Sequence, residues 1–179
     1  DSVAWLLNIR GSDVDCTPVA RAFALLHANG QAELFTEPEK VTPALAALLG
    51  PDVTIAPRSA FADRLAALGA EGRRVLVDAD STVFAVSETL EKAGATVVAG
   101  RDPCVLPKAR KNPAEVAGTR AAHLRDGAAL TRFLHWIDVE APKGGIDELG
   151  ADARLLDLRR QANLFRDVSF PAITGAGAN

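Results

Sequence analysis

Nucleophiles, bases and metal-binding side chains are sparse in this chain of 179 residues, and their spacing limits what they can do. His27, His123 and His135 have no i,i+4 partner, and no HExxH or Cys/His cluster exists, which argues against a zinc site. Cys16 and Cys104 lie far apart without CxxC-type spacing and read as reduced, structural thiols of an intracellular protein. The glycines form no GxxxxGK[ST] loop, and Gly144-Gly145 precedes a helix without following a strand. Asp126, Asp138, Asp147, Asp152 and Asp157 supply carboxylates, but helical spacing spreads them over polar faces as solvated surface. One stretch stands apart. Arg10-Gly11-Ser12-Asp13 sets three polar groups around a glycine, either as a rigid turn presenting charge to a cleft or as a plain surface turn. It is no adhesion triplet, because Ser12 interrupts the Arg-Gly-Asp order.

The elements that must position these groups alternate in type. Val3–Ile9 and Val19–Leu26 read as apolar strands, and Asn29-Gly30 is a hairpin turn signal returning the chain through Ala32–Phe35. Helices are expected over Glu39–Leu49, Ala60–Leu68 and Thr82–Ala93, with strands over Val53–Ala56, Arg74–Val77 and Thr96–Val98. Gly50, Gly69 and Gly94 stand where left-handed C-caps belong. An antiparallel start followed by repeated helix–strand units predicts an α/β fold with a mixed sheet covered by helices, its core closed without outside help.

Gly100–Lys111, with two prolines and four basic residues, reads as a linker, and a domain boundary is placed near residue 107. Asn112-Pro113-Ala114-Glu115 then opens a helix to about Glu140, with Asn112 as N-cap, Pro113 at N1 and Glu115 completing a capping box. Its apolar seam is Val116, Arg120, His123, Gly127, Leu130, Leu134 and Ile137, with Gly127 expected at a close contact and His123 as a hydrogen-bonded core or interface histidine. Asp147 caps a second helix to about Gln161, and Asp167–Asn179 reads as a strand entering a Gly-x-Gly turn. A strand halted there leaves an unpaired edge, so the chain is expected to be a piece of a larger protein. Net charge of −3 gives no electrostatic reason for a nucleic-acid or anionic-membrane partner, and no run of 18 apolar residues suggests a membrane span.

Ala4-Trp5-Leu6-Leu7-Asn8-Ile9-Arg10-Gly11-Ser12-Asp13-Val14, with Thr17-Pro18-Val19 behind it, resembles the opening of the middle domain of three-domain Xaa-Pro aminopeptidases, pita-bread metallopeptidases of the creatinase family. Ala85–Thr89, Lys108–Glu115, Arg120–His123, Pro142–Gly145 and Ser169–Pro171 are similar in the same order. Cys16 and Thr17 depart from the pattern, standing where an aromatic residue or His is often followed by Asn.

The resemblance implies that residues 1–107 form a creatinase-like, ribonuclease H-like middle domain and that residues 108–179 open a pita-bread catalytic domain. It implies a cytoplasmic, homodimeric parent enzyme releasing the N-terminal residue from peptides with proline second, through two divalent metal ions, Mn2+ being the expected pair. The metal ligands are expected C-terminal to this chain, which would then hold no catalytic or metal-binding residue of its own. Phe170 is expected in the pocket for the proline ring, with Arg10 and Asp13 on a loop facing the substrate cleft. A prolidase, or a non-catalytic homologue that binds peptides or proteins, are the alternatives.

Overall fold

The computed structural model describes residues 1–177, so Ala178 and Asn179 of the expected Gly-x-Gly turn lie outside the described residues. The chain divides into two compact units, Asp1–Arg110 and the residues from Lys111 onward.

The first unit opens with helix α1, Ser2–Leu6, where a strand was expected over Val3–Ile9. A short apolar run fits either element by periodicity alone, and the backbone settles it: Trp5 N–H donates to the Asp1 carbonyl at 3.0 Å and Leu7 N–H to the Val3 carbonyl at 3.1 Å. Asn8, at φ 51°, turns the chain out of this helix. Strand β1, Phe23–Leu26, starts four residues later than expected because residues before it are held in a loop, with Asp13 N–H donating to the Val19 carbonyl at 3.3 Å.

The Asn29-Gly30 turn forms as anticipated. His27 N–H donates to the Gln31 carbonyl at 2.8 Å, Gly30 takes φ 89°, and strand β2, Ala32–Thr36, returns antiparallel to β1. Helix α2, Pro43–Leu49, begins at the Thr42 cap, whose hydroxyl accepts the Leu45 N–H at 3.1 Å, and strand β3, Val53–Pro57, pairs parallel to β2. Helix α3, Phe61–Ala70, strand β4, Arg74–Val77, helix α4, Phe84–Lys92, and strand β5, Thr96–Ala99, follow, with β4 and β5 parallel. The sheet is therefore mixed, and it is interrupted: β1-β2-β3 and β4-β5 are separate ladders.

Both ladders rest on the same helix pair. Leu65 and Leu68 of α3, Leu90 of α4 and Val77 of β4 form the buried cluster, with Leu25 of β1 and Val75 packed around it. Full burial of each such leucine stabilises by about 1.5–3 kcal/mol. Phe61 stacks on Phe23 with ring centroids 4.3 Å apart, joining α3 to β1. Gly69 is no C-cap. It lies buried within α3, facing Ala93 at the end of α4, while Gly72 at φ 64° takes the left-handed position after the helix. The stretch expected as a linker contains helix α5, Val105–Ala109, and Lys108 pairs with Asp1.

In the second unit, helix α6, Pro113–Glu140, carries the expected capping box: the Asn112 side chain accepts the Glu115 N–H at 2.9 Å and the Glu115 carboxylate accepts the Asn112 N–H at 2.9 Å. Helix α7, Glu148–Arg160, starts at Asp147, whose side chain accepts the Gly150 N–H at 2.7 Å. The shielded stripe of α6 differs from the expected seam. Val116 and Ile137 of that seam are shielded, together with Ala121, Arg125, Ala129, Phe133, Trp136 and Glu140, while Arg120, His123, Gly127, Leu130 and Leu134 are exposed. Alternating three- and four-residue spacing fits more than one helix face, and here small Ala129 is buried on the helix that packs against α7 with its Ala151 and Leu158. Gly127 has no described neighbour within 4 Å of a would-be Cβ, and His123 only caps its own helix turn, Nδ1 lying 2.9 Å from the Thr119 carbonyl. No strand forms over 168–177; an isolated segment without a partner has no ladder to join.

Candidate functional site

The Arg10–Asp13 loop is the best-built polar feature that the sequence singled out. Ile9, buried just after the left-handed Asn8, anchors its start. Gly11 follows because nothing larger fits: a Cβ there would sit 2.8 Å from the Ala20 Cβ and 2.9 Å from its Cα. This close approach brings the loop beside the segment leading into β1. The Asp13 carboxylate then accepts the Arg21 N–H at 2.7 Å and pairs with Lys40 at 2.5 Å. Lys40 lies in a one-turn 3-10 helix, Pro38–Lys40, that follows β2. Lys40, followed by the Arg21 N–H, holds the Asp13 carboxyl below its ordinary range and outweighs the opposing effect of burial. Arg10 turns inward, its guanidinium donating to the Ile9 carbonyl at 2.9 Å and the Ala4 carbonyl at 3.2 Å.

These groups border a small pocket of about 220 Å³ with Ser12, Thr36 and Leu45. Its charges are mutually satisfied, and no nucleophile faces a base across it. The arrangement is a braced polar rim, suited to holding a shape. Phe170, the expected proline-pocket residue, lies in irregular chain of the second unit with 63% of its surface exposed.

Two further polar groupings have no counterpart in the sequence reading. On the wall of a larger cleft, of about 1030 Å³, His27 Nε2 lies 2.7 Å from the Glu33 carboxylate, and Arg64 Nε donates to both Glu33 oxygens at 3.0 Å. The chain of charges continues through Arg64 to Glu71 at 3.4 Å and Arg73 to Glu71 at 2.9 Å. Arg73 holds the Glu71 carboxyl below its ordinary range, with Arg64 assisting against burial.

At the carboxyl ends of β4 and β5, Asp78 accepts the Asp102 N–H at 2.7 Å and Asp102 accepts the Cys104 N–H at 2.8 Å. Burial alone would raise the Asp102 pKa; hydrogen bonds from Ser2 and Cys104, with the Lys108 charge, bring it below the ordinary value instead. Burial, and then the Asp102 carboxylate, push the Cys104 thiol up. The signal available in sequence was position, an aspartate closing each of two parallel strands.

Among the described residues no group of three or more His, Cys, Asp or Glu is placed to hold a metal ion. No described helix is long and apolar enough to cross a membrane.

The mixed, helix-covered sheet and its preceding polar loop define a creatinase-like α/β domain. Residues 1–115 match the Creatinase/Prolidase N-terminal domain family, and the chain belongs to it. Along its whole length it is 38% identical to a probable Xaa-Pro aminopeptidase P of Aspergillus fumigatus, and 36% identical to a probable Xaa-Pro aminopeptidase P of Penicillium rubens. It spans 28% and 30% of those two proteins. Among solved structures, the X-prolyl aminopeptidase of Caenorhabditis elegans, described as a cytosolic enzyme with a di-nuclear active site, aligns over 95% of this chain and 28% of its own, with TM-score 0.82 and 27% identity. A Xaa-Pro dipeptidase from Bacillus anthracis aligns over 89% of this chain and 42% of its own, with TM-score 0.63 and 16% identity, a likeness of fold.

Proposed function

We propose that this chain is a scaffold portion of a metal-dependent Xaa-Pro aminopeptidase that releases the N-terminal residue from peptides with proline in second position. The observation that carries the reading is whole-chain similarity to proteins named aminopeptidase P, accompanied by a TM-score of 0.82 to an X-prolyl aminopeptidase. In this reading residues 1–107 form the middle domain and residues 108–179 open the pita-bread catalytic domain. The two metal ions, Mn2+ in the proposal, are held by residues C-terminal to this chain, in a cytoplasmic homodimer. The braced Arg10–Asp13 loop then faces the substrate cleft of the intact enzyme.

Phe170 is the substrate contact proposed within this chain. Proline is a rigid, apolar ring without an N–H, so an aromatic wall rewards its burial without supplying a donor. Loss of that wall is worth about 1–3 kcal/mol of binding or transition-state stabilisation. The test is hydrolysis of Xaa-Pro and Xaa-Ala peptides by the intact protein, before and after chelation, alongside Phe170→Ala and Phe170→Leu. Metal-dependent turnover with proline preference, weakened by both substitutions at little cost in Tm, supports the reading. Absence of turnover with full metal loading removes the enzyme proposal. An equal loss on both peptides with a large fall in Tm removes the pocket role.

A further inference from the structure

The Asp13–Lys40 pair balances charge at the rim of the small pocket, but hydrogen-bonding capacity is left over inside it. The pocket lies on the face of β2 opposite α3. Successive strand residues point to opposite faces, and Phe35 meets Phe61 of α3 with ring centroids 5.2 Å apart. Leu34 and Thr36 therefore point the other way, into the space beneath the Arg10–Asp13 loop. Leu45 of α2 and the buried Ile9 add apolar wall, while Arg10 and Ser12 are exposed at the mouth.

Thr36 is only 4% exposed, yet its hydroxyl has no hydrogen-bond partner among the described residues. Burying a hydroxyl without a partner is costly, so such a group marks a place where something else supplies the bond. At the mouth, Asp13 uses one oxygen, Oδ2, for both the Arg21 N–H and Lys40, which leaves Oδ1 its accepting capacity. Arg10 holds the Ile9 and Ala4 carbonyls through Nη1, which leaves its Nε and Nη2 hydrogens to donate. The pocket thus offers an acceptor for a cation, donors for an anion, one buried hydroxyl and an apolar wall. Size narrows the choice. An apolar cavity of about 150 Å³ holds benzene, with six heavy atoms, so the 220 Å³ here takes roughly nine.

We propose that this pocket binds a free α-amino acid with an apolar side chain, of about the size of leucine. The ligand's ammonium pairs with Asp13 Oδ1. Its carboxylate accepts from Arg10 and from the Thr36 hydroxyl, and its side chain lies against Leu34 and Leu45. A plain carboxylic acid would leave Asp13 facing another anion, and a plain amine would leave Arg10 without a partner.

The test is methyl NMR on the intact protein, with labelled isoleucine and leucine methyls, titrated with L-leucine. It reads binding and not turnover, so its failure leaves the aminopeptidase reading standing, and loss of that reading leaves the pocket assignment standing. Saturable shifts at Ile9, Leu34 and Leu45 are expected. L-Leucinamide presents what the N-terminal residue of a peptide presents, and N-acetyl-L-leucine what a C-terminal residue presents. Both should bind at least about tenfold more weakly. Thr36→Val keeps the shape and removes the hydroxyl, so L-leucine should bind about tenfold more weakly while Tm stays in place. The absence of shifts at these three residues up to about 10 mM L-leucine overturns the proposal. Equal affinity for either blocked analogue overturns it as well. So does Thr36→Val with unchanged affinity, or with a large fall in Tm, which would give the hydroxyl a structural partner instead.

Discussion

Gly69→Ala tests how closely α3 and α4 are joined. The added methyl carbon would lie 2.3 Å from the Ala93 Cβ, 2.7 Å from its carbonyl carbon and 2.9 Å from its carbonyl oxygen. Two of these are backbone atoms, so no side-chain rotation relieves the overlap. Retreat is also restricted, because Gly94 at φ 101° follows directly and a Cβ on it would already lie 3.3 Å from the Gly69 carbonyl oxygen. Overpacking of this kind costs about 3 kcal/mol, the upper part of the usual range. Alanine recovers about 1 kcal/mol of helix propensity, leaving a net loss of about 2 kcal/mol. For a unit of this size that lowers Tm by roughly 10 °C.

The two tryptophans make the assay local, since Trp5 lies in the first unit and Trp136 in the second. In a Trp136→Phe background, Trp5 fluorescence reports unfolding of the unit that contains Gly69. In a Trp5→Phe background, the Trp136 transition is expected to stay in place. Gly127→Ala, with open space around it, is the matched control and should stabilise the second unit by about 1 kcal/mol. An unchanged or raised Tm for Gly69→Ala on the Trp5 signal would refute the close-contact reasoning.

Asn112→Ala removes the reciprocal cap of α6 and should cost about 1 kcal/mol, read as a lower urea midpoint on the Trp136 signal. Asp13 has its folded pKa lowered, so its stabilising contribution is complete above the unfolded value of about 4 and is lost as pH falls through the lower folded value. Asp13→Asn should therefore flatten the acid limb of stability against pH, with Glu71 and Asp102 retaining part of the slope; an unchanged limb refutes the Lys40 pairing. Cys104 is buried and its thiol is pushed up, whereas Cys16 is partly exposed, so a thiol–disulfide reagent at pH 8 should titrate Cys16 first. Loss of the slow phase, rather than the fast one, in Cys16→Ser would contradict this.

What was legible in the sequence had a local cause. Asn112 to Glu115 and Asp147 mark their helices because the cap is made within four residues, and Asn29-Gly30 marks the hairpin because its φ demand is local. Val3–Ile9 was misread because the choice of helix depends on backbone bonds and on what Ser2, Val3 and Leu6 border. Gly69 looked like a cap until Ala93, far along the chain, gave it a neighbour. The α6 seam was set by which face α7 covers, and the His27–Glu33–Arg64 chain joins elements up to 31 residues apart. The family resemblance was carried by the ordered Ala4–Val14 and later segments, whereas the polar pocket contacts of Asp13 required Lys40 to be brought across β2.

The hairpin and the parallel pair of the first ladder also differ in time. Five residues separate β1 from the return of β2, and hairpins of that kind close within about 1–10 µs. Strand β3 docks parallel to β2 only after α2 and its flanking turns have been placed, a larger loop to close before any ladder bond forms. The β1–β2 hairpin is therefore the available early template during refolding, and β3 the late addition. Pulse-labelled amide exchange should show Leu25 protected before Ala56, whose N–H faces β2 in the parallel register.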